Sequence, residues 1–292
     1  MRKAVIDMGT NSTRLAIAEL TNGNMQMVYT QVAETRLGEG MGVERIIQPG
    51  PLARTLETVK RFVQTANLLG TDDVRIIATS AVRDAVNKVE VIQAVSSAVR
   101  IFMEVLPGTV EAQLSYLGAS GDFTHLDRPL AVLDIGGGST ELVYPAEDGV
   151  HGASVDLGAV RLLEQPELRP QVEELLQDLK QESLPENCAL IAVGGTNTCL
   201  MAMELGLIRY DGNKIHGQTI SKERVDYWCD TLLNMTQEER ERIPGMKAQR
   251  ADIMPYGVQI LQKTMEMLGA DEVIISDKGL VYGLLMDAFS VR

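Results

Sequence analysis

Hydrophobic and polar residues follow one another along the chain in patterns that predict an α/β protein. Residues 51–69 carry apolar side chains at helical spacing, and residues 74–79 form a mostly apolar run that is typical of a buried strand. The same reasoning predicts helices at 86–99 and 109–119 and a strand at 101–106. Because strand–helix–strand spacing implies parallel strands joined by a right-handed crossover, we expect a mixed sheet with flanking helices.

The second half of the chain repeats this pattern. We predict strands at 151–157, 189–193 and 272–275, helices at 167–182, 196–205 and 279–288, and helical stretches near 221–233, 236–243 and 250–268. The segment 118–122 is small and polar, so we place a domain boundary there. The prediction is a first lobe at 1–122 and a second lobe at 123–279, with the C-terminal helix 280–292 able to return to the first lobe.

Two stretches of the chain are near-copies of each other: residues 4–15 (AVIDMGTNSTRL) and 131–142 (AVLDIGGGSTEL). Each reads as an apolar strand with an Asp at its end, a tight glycine turn and a return strand. Such a turn directs several backbone N–H groups at one point, which makes an anion site, and glycine lets the anion come close. The predicted phosphate-binding residues are Gly9, Thr10, Asn11, Ser12, Gly136, Gly137, Gly138 and Ser139. Two such turns facing each other would hold a phosphate chain between two lobes.

Neither turn is a nucleotide-binding motif of the common kinds. The Lys-Ser/Thr pair of a P-loop is missing, and a strand rather than a helix follows each turn. A single Asp-x-Gly hairpin also occurs for purely structural reasons. Two in register, each with Ser five residues after the Asp, favour function.

Acidic residues beside the second turn form a candidate metal site. Asp134 and Glu141 lie seven residues apart across the predicted hairpin, which can bring both side chains close together at the same end of the hairpin. Two carboxylates with phosphate oxygens and waters are the usual shell of Mg²⁺, and Asp7 could join from the other lobe through water. The alternative for Glu141 is a solvated strand residue.

Three further residues are candidates for phosphate binding or catalysis. Arg83 follows the carboxyl end of a predicted strand, where α/β folds place ligand groups. A guanidinium binds phosphate with two hydrogen bonds. The alternative role for Arg83 is an ion pair with Asp84. Arg36, in a glycine-rich loop, is a weaker candidate of the same kind. Glu111 could orient a water molecule, although an acidic residue at a helix N-terminus is common without any catalytic role.

Charge and cysteine content narrow the class of protein. The chain of 292 residues has a formal net charge of -13, which argues against a general nucleic-acid binder. An anionic substrate would then need cations and backbone amides gathered locally. Three cysteines without a Cys-x-x-Cys motif indicate reduced thiols in the cytoplasm, and no apolar run predicts a signal peptide or a membrane span.

Seven short segments, taken together, resemble the exopolyphosphatase / guanosine pentaphosphate phosphohydrolase family. They are IDMGTNS at 6–12, RLGEG at 36–40, TSAVRDA at 79–85, DIGGGSTEL at 134–142, VGGT at 193–196, KAQRAD at 247–252 and SDKGL at 276–280. That family belongs to the superfamily of actin, sugar kinases and heat-shock ATPases. The resemblance implies two duplicated ribonuclease H-like lobes, each a mixed sheet with flanking helices, with the active site in the cleft between them.

The resemblance also assigns roles by position. It implies that Glu111 is the catalytic residue, that Arg83 binds the substrate phosphate, and that Asp134 and Glu141, with Asp7 near, hold Mg²⁺. It implies a homodimer as well. The chain departs from the family around Glu111, where Val110 and Gln113 replace the usual Glu and Arg, which bears on rate and substrate choice.

We therefore expect a magnesium-dependent hydrolase that releases terminal orthophosphate from inorganic polyphosphate, with water oriented by Glu111 for in-line attack. Hydrolysis of guanosine pentaphosphate or of nucleoside di- and triphosphates is an alternative. A kinase of the wider superfamily and a catalytically weak sensor that only binds phosphate ligands are further alternatives.

Overall fold

The computed structural model describes residues 1–147, 149–180, 184–185 and 187–290. The strands, in chain order, are β1 (Arg2–Met8), β2 (Thr13–Thr21), β3 (Asn24–Ala33), β4 (Asp73–Ala78), β5 (Met103–Val105), β6 (Leu130–Ile135), β7 (Thr140–Ala146), β8 (Gly149–Val155), β9 (Ala189–Val193), β10 (Gln218–Ser221) and β11 (Glu272–Ile275).

The α-helices, in chain order, are α1 (Pro49–Leu68), α2 (Ser80–Asp84), α3 (Lys88–Val99), α4 (Gly108–Ser120), α5 (Ala159–Glu164), α6 (Val172–Leu176), α7 (Gly195–Glu204), α8 (Gly212–Ile215), α9 (Lys222–Asn234), α10 (Gln237–Glu241), α11 (Met254–Leu268) and α12 (Leu280–Phe289). Among the described residues, none of these helices is both long and apolar enough to cross a membrane.

The chain forms two compact units. The first contains Met1–Gly118 together with the chain from Leu280, and the second is Ala119–Gly279. The sequence placed this division at residue 122. Each unit is built on one mixed sheet, with strand order β3-β2-β1-β4-β5 in the first and β10-β11-β9-β6-β7-β8 in the second. In both sheets an antiparallel hairpin pair continues into parallel neighbours: β1 with β4, and β6 with β9.

The first sheet buries both of its faces, because successive side chains of a strand point to opposite sides. On one face Ile6 packs in a cluster with Phe62 of α1 and Val95 of α3. On the other face Val5 packs in a cluster with Leu114 of α4 and Leu284 of α12. The C-terminal helix is therefore part of the core of the first unit.

The core of the second unit is one large cluster. It joins the central strands β6 and β9 to helices α7, α9 and α11, with Leu133, Ala192, Leu200, Leu232 and Leu261 all buried. The near-continuous apolar run of β9, in which all five residues are buried, is typical of a parallel strand that is covered on both faces.

The predicted helix at 167–182 is wrong. Pro166–Gln171 forms a 3₁₀ segment, followed by the short α6 and a second 3₁₀ turn at Gln177–Leu179, and residues 181 and 182 lie outside the described residues. Pro170 supplies no N–H and its ring crowds the preceding turn, so a regular helix does not form through this segment. Helix α5, strand β10 and the short α2 were not predicted.

Candidate functional site

The first glycine turn joins β1 to β2. Asp7 and Arg14 lie opposite each other in the last rungs of the hairpin, and the Gly9 N–H donates to the Ser12 carbonyl at 3.0 Å to close the turn. A Cβ added at Gly9 would lie 3.0 Å from that same carbonyl oxygen. Glycine is thus favoured here by the tightness of the turn rather than by an unusual φ.

The glycine-rich loop after β3 fixes the orientation of this turn. The Gly38 N–H donates to the Thr10 carbonyl at 2.9 Å, and the Arg36 N–H donates to the Asn11 carbonyl at 2.8 Å. A peptide is planar and its N–H points opposite to its C=O. Because the carbonyls of Thr10 and Asn11 point at the loop, the N–H groups of Asn11 and Ser12 point away from it, to one common side.

The Asn11 side chain is a buried polar group near the first glycine turn. The residue is 5% exposed, and neither its Oδ1 nor its Nδ2 has a hydrogen-bond partner among the described residues. An unsatisfied buried amide costs about 1–3 kcal/mol. A buried amide of this kind is typical of a group that binds a ligand or a water molecule.

The second glycine turn, between β6 and β7, is closed in the same way as the first. The Gly136 N–H donates to the Ser139 carbonyl at 3.0 Å. Here the start of α5, rather than a glycine-rich loop, donates hydrogen bonds to the carbonyls of the turn. The Ala159 N–H donates to the Gly136 carbonyl at 3.1 Å, and the Val160 N–H donates to the Gly137 carbonyl at 2.8 Å.

The third carbonyl of this turn, that of Gly138, accepts from the Arg161 Nε at 2.9 Å. Three successive carbonyls thus point toward α5, so the N–H groups of Gly137, Gly138 and Ser139 point to the opposite side. Amides that point to one side in this way are typical of anion-binding turns. A Cβ at Gly158 would lie 2.4 Å from the backbone of Gly137 and Gly138, so glycine at 158 allows α5 to approach.

The candidate metal ligands form a row across three strands. Asp134 on β6 lies opposite Glu141 on β7, which lies opposite Ser154 on β8. Glu141 is 1% exposed, and the Ser154 hydroxyl donates to its Oε1 at 2.7 Å. Adjacent carboxylates directly across a sheet repel each other, and a cation offsets that repulsion.

Asp134 is also close to the start of α7. A Cβ at Gly194, whose φ is +94°, would lie 2.9 Å from the Asp134 Oδ1. The predicted VGGT motif therefore lies beside the predicted metal ligand. Among the described residues, no group of three or more His, Cys, Asp or Glu side chains gathers as a metal site.

Arg83 and Glu111 are in direct contact. The Arg83 Nη1 donates to the Glu111 Oε2 at 2.7 Å and to the Leu106 carbonyl at 3.1 Å. Arg83 also lies 3.8 Å from the Asp84 carboxylate, so the ion pair considered from sequence forms together with the contact to Glu111. Glu111 itself is 8% exposed in the first turn of α4.

The topology explains why these residues meet. Strands β1, β4 and β5 are parallel neighbours, with Met8 beside Ala78 and Ala78 beside Val105. The first glycine turn, α2 with Arg83 and α4 with Glu111 all follow the carboxyl ends of these strands, which is the usual ligand-binding edge of an α/β sheet. The sequence therefore located residues that the fold of the first unit gathers at one edge.

Sequence reasoning missed Ser154, Gly158, Arg161 and Gly194 as supporting residues. Gly194 belongs to the VGGT segment at 193–196, but the sequence analysis assigned this glycine no role. The contribution of Ser154 depends on the register of β8 against β7, and those of Gly158 and Arg161 depend on the unpredicted helix α5. No local signal in the sequence marks these contacts.

A family model described as the Ppx/GppA phosphatase family matches residues 3–290. The chain belongs to this family. It is 31% identical to exopolyphosphatase 2 of Mycobacterium tuberculosis, over 98% of each chain. This confirms the resemblance found in the sequence and the predicted class of enzyme, a phosphoanhydride hydrolase.

Solved structures of the Ppx/GppA family confirm the fold. The chain is 29% identical to the Aquifex aeolicus PPX-GPPA enzyme, with a TM-score of 0.79 over 98% of this chain and 99% of the other. An exopolyphosphatase from Cytophaga hutchinsonii, 24% identical, shares the fold with a TM-score of 0.88 over 100% of this chain and 99% of the other. Two mixed sheets with flanking helices, of the actin-like ATPase type, are thus the architecture of this Ppx/GppA protein.

Proposed function

We propose that this Ppx/GppA protein is an exopolyphosphatase that releases terminal orthophosphate from inorganic polyphosphate in a magnesium-dependent reaction. The observation that carries the proposal is the pair of glycine turns. Both are closed by the same hydrogen bond, and both have their carbonyls held from one side, so that at least two amides in each turn point to the other side. In the proposal the outward-pointing amides of each turn donate to phosphate oxygens.

Glu111 and Arg83 perform the chemistry in this proposal. The Glu111 carboxylate orients a water molecule for in-line attack and accepts its proton. Arg83, already 2.7 Å from Glu111, donates to the oxygens of the phosphoryl group as charge develops on them. Phosphoryl transfer needs mainly positioning and electrostatic stabilisation, and these two residues supply both.

The residues present fit a magnesium ion. Asp134 and Glu141 would hold it, with Asp7 as a further candidate. Asp134 and Glu141 are paired across neighbouring strands, and carboxylate oxygens are the ligands that Mg²⁺ prefers. When bound, Mg²⁺ neutralises charge on the phosphate oxygens. Ser154 keeps the Glu141 carboxylate in a fixed orientation by its hydrogen bond at 2.7 Å.

Guanosine pentaphosphate is a second candidate substrate, alongside nucleoside di- and triphosphates. It shares the terminal phosphoanhydride that the glycine turns would bind, and the family name joins the two activities. Val110 and Gln113, which replace the usual Glu and Arg, lie on either side of the buried Glu111 and are themselves exposed. At these two positions the chain would differ from other family members in its choice of substrate. A kinase or a sensor that only binds does not accord with the hydrolase class of the family.

The remaining parts of the proposal concern assembly and location. We propose a homodimer, as the resemblance implies. We also propose a cytoplasmic location, because the three cysteines are free thiols, two of them buried.

A substrate panel tests the proposal. Purified protein with Mg²⁺ is incubated separately with long polyphosphate, tripolyphosphate, guanosine pentaphosphate, and ATP with glucose, and released phosphate is measured. We expect the highest kcat/KM on long polyphosphate. Faster release from guanosine pentaphosphate would reverse the substrate assignment, and phosphate transferred to glucose would contradict hydrolysis.

The role of Glu111 is tested in the same assay. Glu111→Gln keeps the shape of the side chain but removes the proton acceptor, so we expect kcat to fall by about 10²–10⁴-fold with little change in KM. Glu90→Gln is the matched control, since Glu90 occupies the first turn of α3 and is exposed. Equal activity of Glu111→Gln and the wild type would exclude the proposed role.

A further inference from the structure

Strand β3 is an exposed sheet edge of unusual length. The strand order places it at the end of the first sheet, paired with β2 alone among the described strands. It runs for ten residues, and none of them is buried. Its large apolar side chains Met27, Val28 and Val32 are each 40% exposed. A sheet edge carries unpaired N–H and C=O groups that can pair with another chain.

The other edge strands among the described residues are shorter than β3. Strand β5 has three residues and carries Glu104, which pairs with Arg75 at 2.8 Å. Strand β10 has four residues. Strand β8 has seven residues, three fewer than β3, and is in contact with the 3₁₀ turn Gln177–Leu179. Short strands, charges and covering segments are the usual devices against edge-to-edge pairing.

Strand β3 lacks almost all of these devices. Residues 21–33 contain no Asp, Glu, Lys, Arg or Pro. The one device present is a β-bulge at Val28. Tyr29 pairs with Ile17 and Met27 pairs with Ala18, so Val28 between them has no partner residue on β2. A run of thirteen residues without acidic or basic groups stands out in a chain that has 27 basic and 40 acidic residues.

We propose that β3 is the interface at which two copies of this chain pair, antiparallel to each other about a two-fold axis. Such pairing is isologous, so that one strand supplies both sides of the contact and no second sequence is required. The net charge of -13 makes two copies repel each other over most of their surfaces. The uncharged strip along β3 is where they can approach with the least repulsion. Pairing there would extend the five-stranded sheet across the axis and cover Met27, Val28 and Val32.

Measurement of the mass in solution tests the interface. Light scattering after size exclusion, over a range of protein concentrations, is expected to show a dimer for the wild type. The double variant Val28→Lys/Val32→Lys places like charges along the paired strands, and we expect its dimer dissociation constant to rise by about tenfold or more. The matched control is Thr219→Lys, an exposed position on the edge strand β10, which is expected to leave the mass unchanged. Thermal unfolding of each variant checks that the lysines act on assembly and not on folding.

Hydrogen exchange locates the contact independently of any substitution. Amides of residues 24–33 are expected to exchange more slowly at concentrations at which the wild type is dimeric than when it is diluted. A monomer at every concentration would overturn the proposal. A dimer that is unaffected by the lysines and shows no protection at β3 would also overturn it, as would protection that appears only when another protein is added. None of these measurements depends on the substrate, so the interface can fail while the proposed phosphatase activity stands.

Discussion

At the scale of single residues, several buried polar groups lie close to the ends of strands. Asp7, Asn11, Ser12, Glu111, Ser139 and Glu141 are all at least nine-tenths buried, and each was a site candidate from sequence alone. Burying polar and charged groups is costly unless they are hydrogen-bonded or paired. Their concentration at the turns after β1 and β6, and at α4, is a second physical reason, besides the repeated motif, to regard these positions as functional.

Ser154 provides a test of the proposed metal site that does not remove a candidate ligand. Ser154→Ala deletes the hydroxyl that holds Glu141, so we expect the Mg²⁺ concentration for half-maximal activity to rise by about 10-fold or more, because partners of metal ligands tune metal affinity. Activity at saturating Mg²⁺ should change little. Ser154→Thr keeps the hydroxyl and is the control.

Calorimetric titration with Mg²⁺ gives a readout that does not depend on turnover. Weaker binding by Ser154→Ala, with recovery in Ser154→Thr, would support the role of Glu141. Identical Mg²⁺ affinity in the wild type and Ser154→Ala would show that Glu141 does not bind the ion through this arrangement.

At the scale of elements, the long periodic segments were predicted well. Helices α1, α9 and α11 and strands β4 and β9 lie within a few residues of their predicted bounds, because each carries a strong pattern and buries a complete face. The segment 159–179 was predicted badly. Two prolines divide it into α5, a 3₁₀ segment and α6, and its short pieces owe their stability to tertiary contacts more than to local propensity.

Helix α5 gives an element-scale prediction through Gly158. A methyl group at 158 would lie 2.4 Å from the peptide joining Gly137 and Gly138, so Gly158→Ala must displace α5 from the second glycine turn. We expect a loss of about 1–3 kcal/mol in the free energy of unfolding and a lower kcat/KM, measured by urea unfolding and phosphate release.

Gly50→Ala is the matched control. Gly50 lies in the first turn of α1, and a Cβ there has no other atom within 4 Å among those considered, so we expect its stability to stay within about 0.5 kcal/mol of the wild type. Unchanged activity in Gly158→Ala would indicate that the amides of the second turn do not depend on α5.

At the scale of the whole molecule, charge sets the response to acid. Three carboxyl groups of the second unit, Asp122, Glu204 and Asp226, have a pKa below the ordinary value. For Glu204 the main cause is hydrogen bonding from Arg224; partial burial opposes it and the Trp228 Nε1 donor, at 2.6 Å, adds to it. A carboxyl whose pKa is lowered by folding contributes stability at pH values above its unfolded pKa. That contribution is lost as the pH falls through the folded pKa.

We therefore expect stability to fall as the pH drops below about 4.5, the ordinary pKa of Glu204. Arg224→Met should lower stability at pH 7 by about 1 kcal/mol and should reduce the further loss between pH 5 and pH 3. Trp228 is the single tryptophan of the chain, so its fluorescence reports directly on this network during urea unfolding at each pH. An acid response of Arg224→Met equal to that of the wild type would contradict this account.

The sequence by itself determined most of the elements, the duplication and the class of enzyme. Apolar periodicity specifies which segments are strands and helices, because burial of one face is a local requirement that each segment must satisfy. The repeated turns at 9–12 and 136–139 and the isolated residues Arg83 and Glu111 were likewise readable, since residue type and order carry them. Their family resemblance then assigned the roles.

Only the tertiary structure decided which groups touch. The contact of Arg83 with Glu111 spans 28 positions in the chain, and that of Arg161 with Gly138 spans 23. The register of β7 against β8 aligns Glu141 with Ser154. Strand register and the placement of a helix over a turn depend on packing by distant segments, and no local pattern encodes them. The direction of the amides in the two glycine turns follows from these distant contacts, and the proposed binding of an anion depends on that direction.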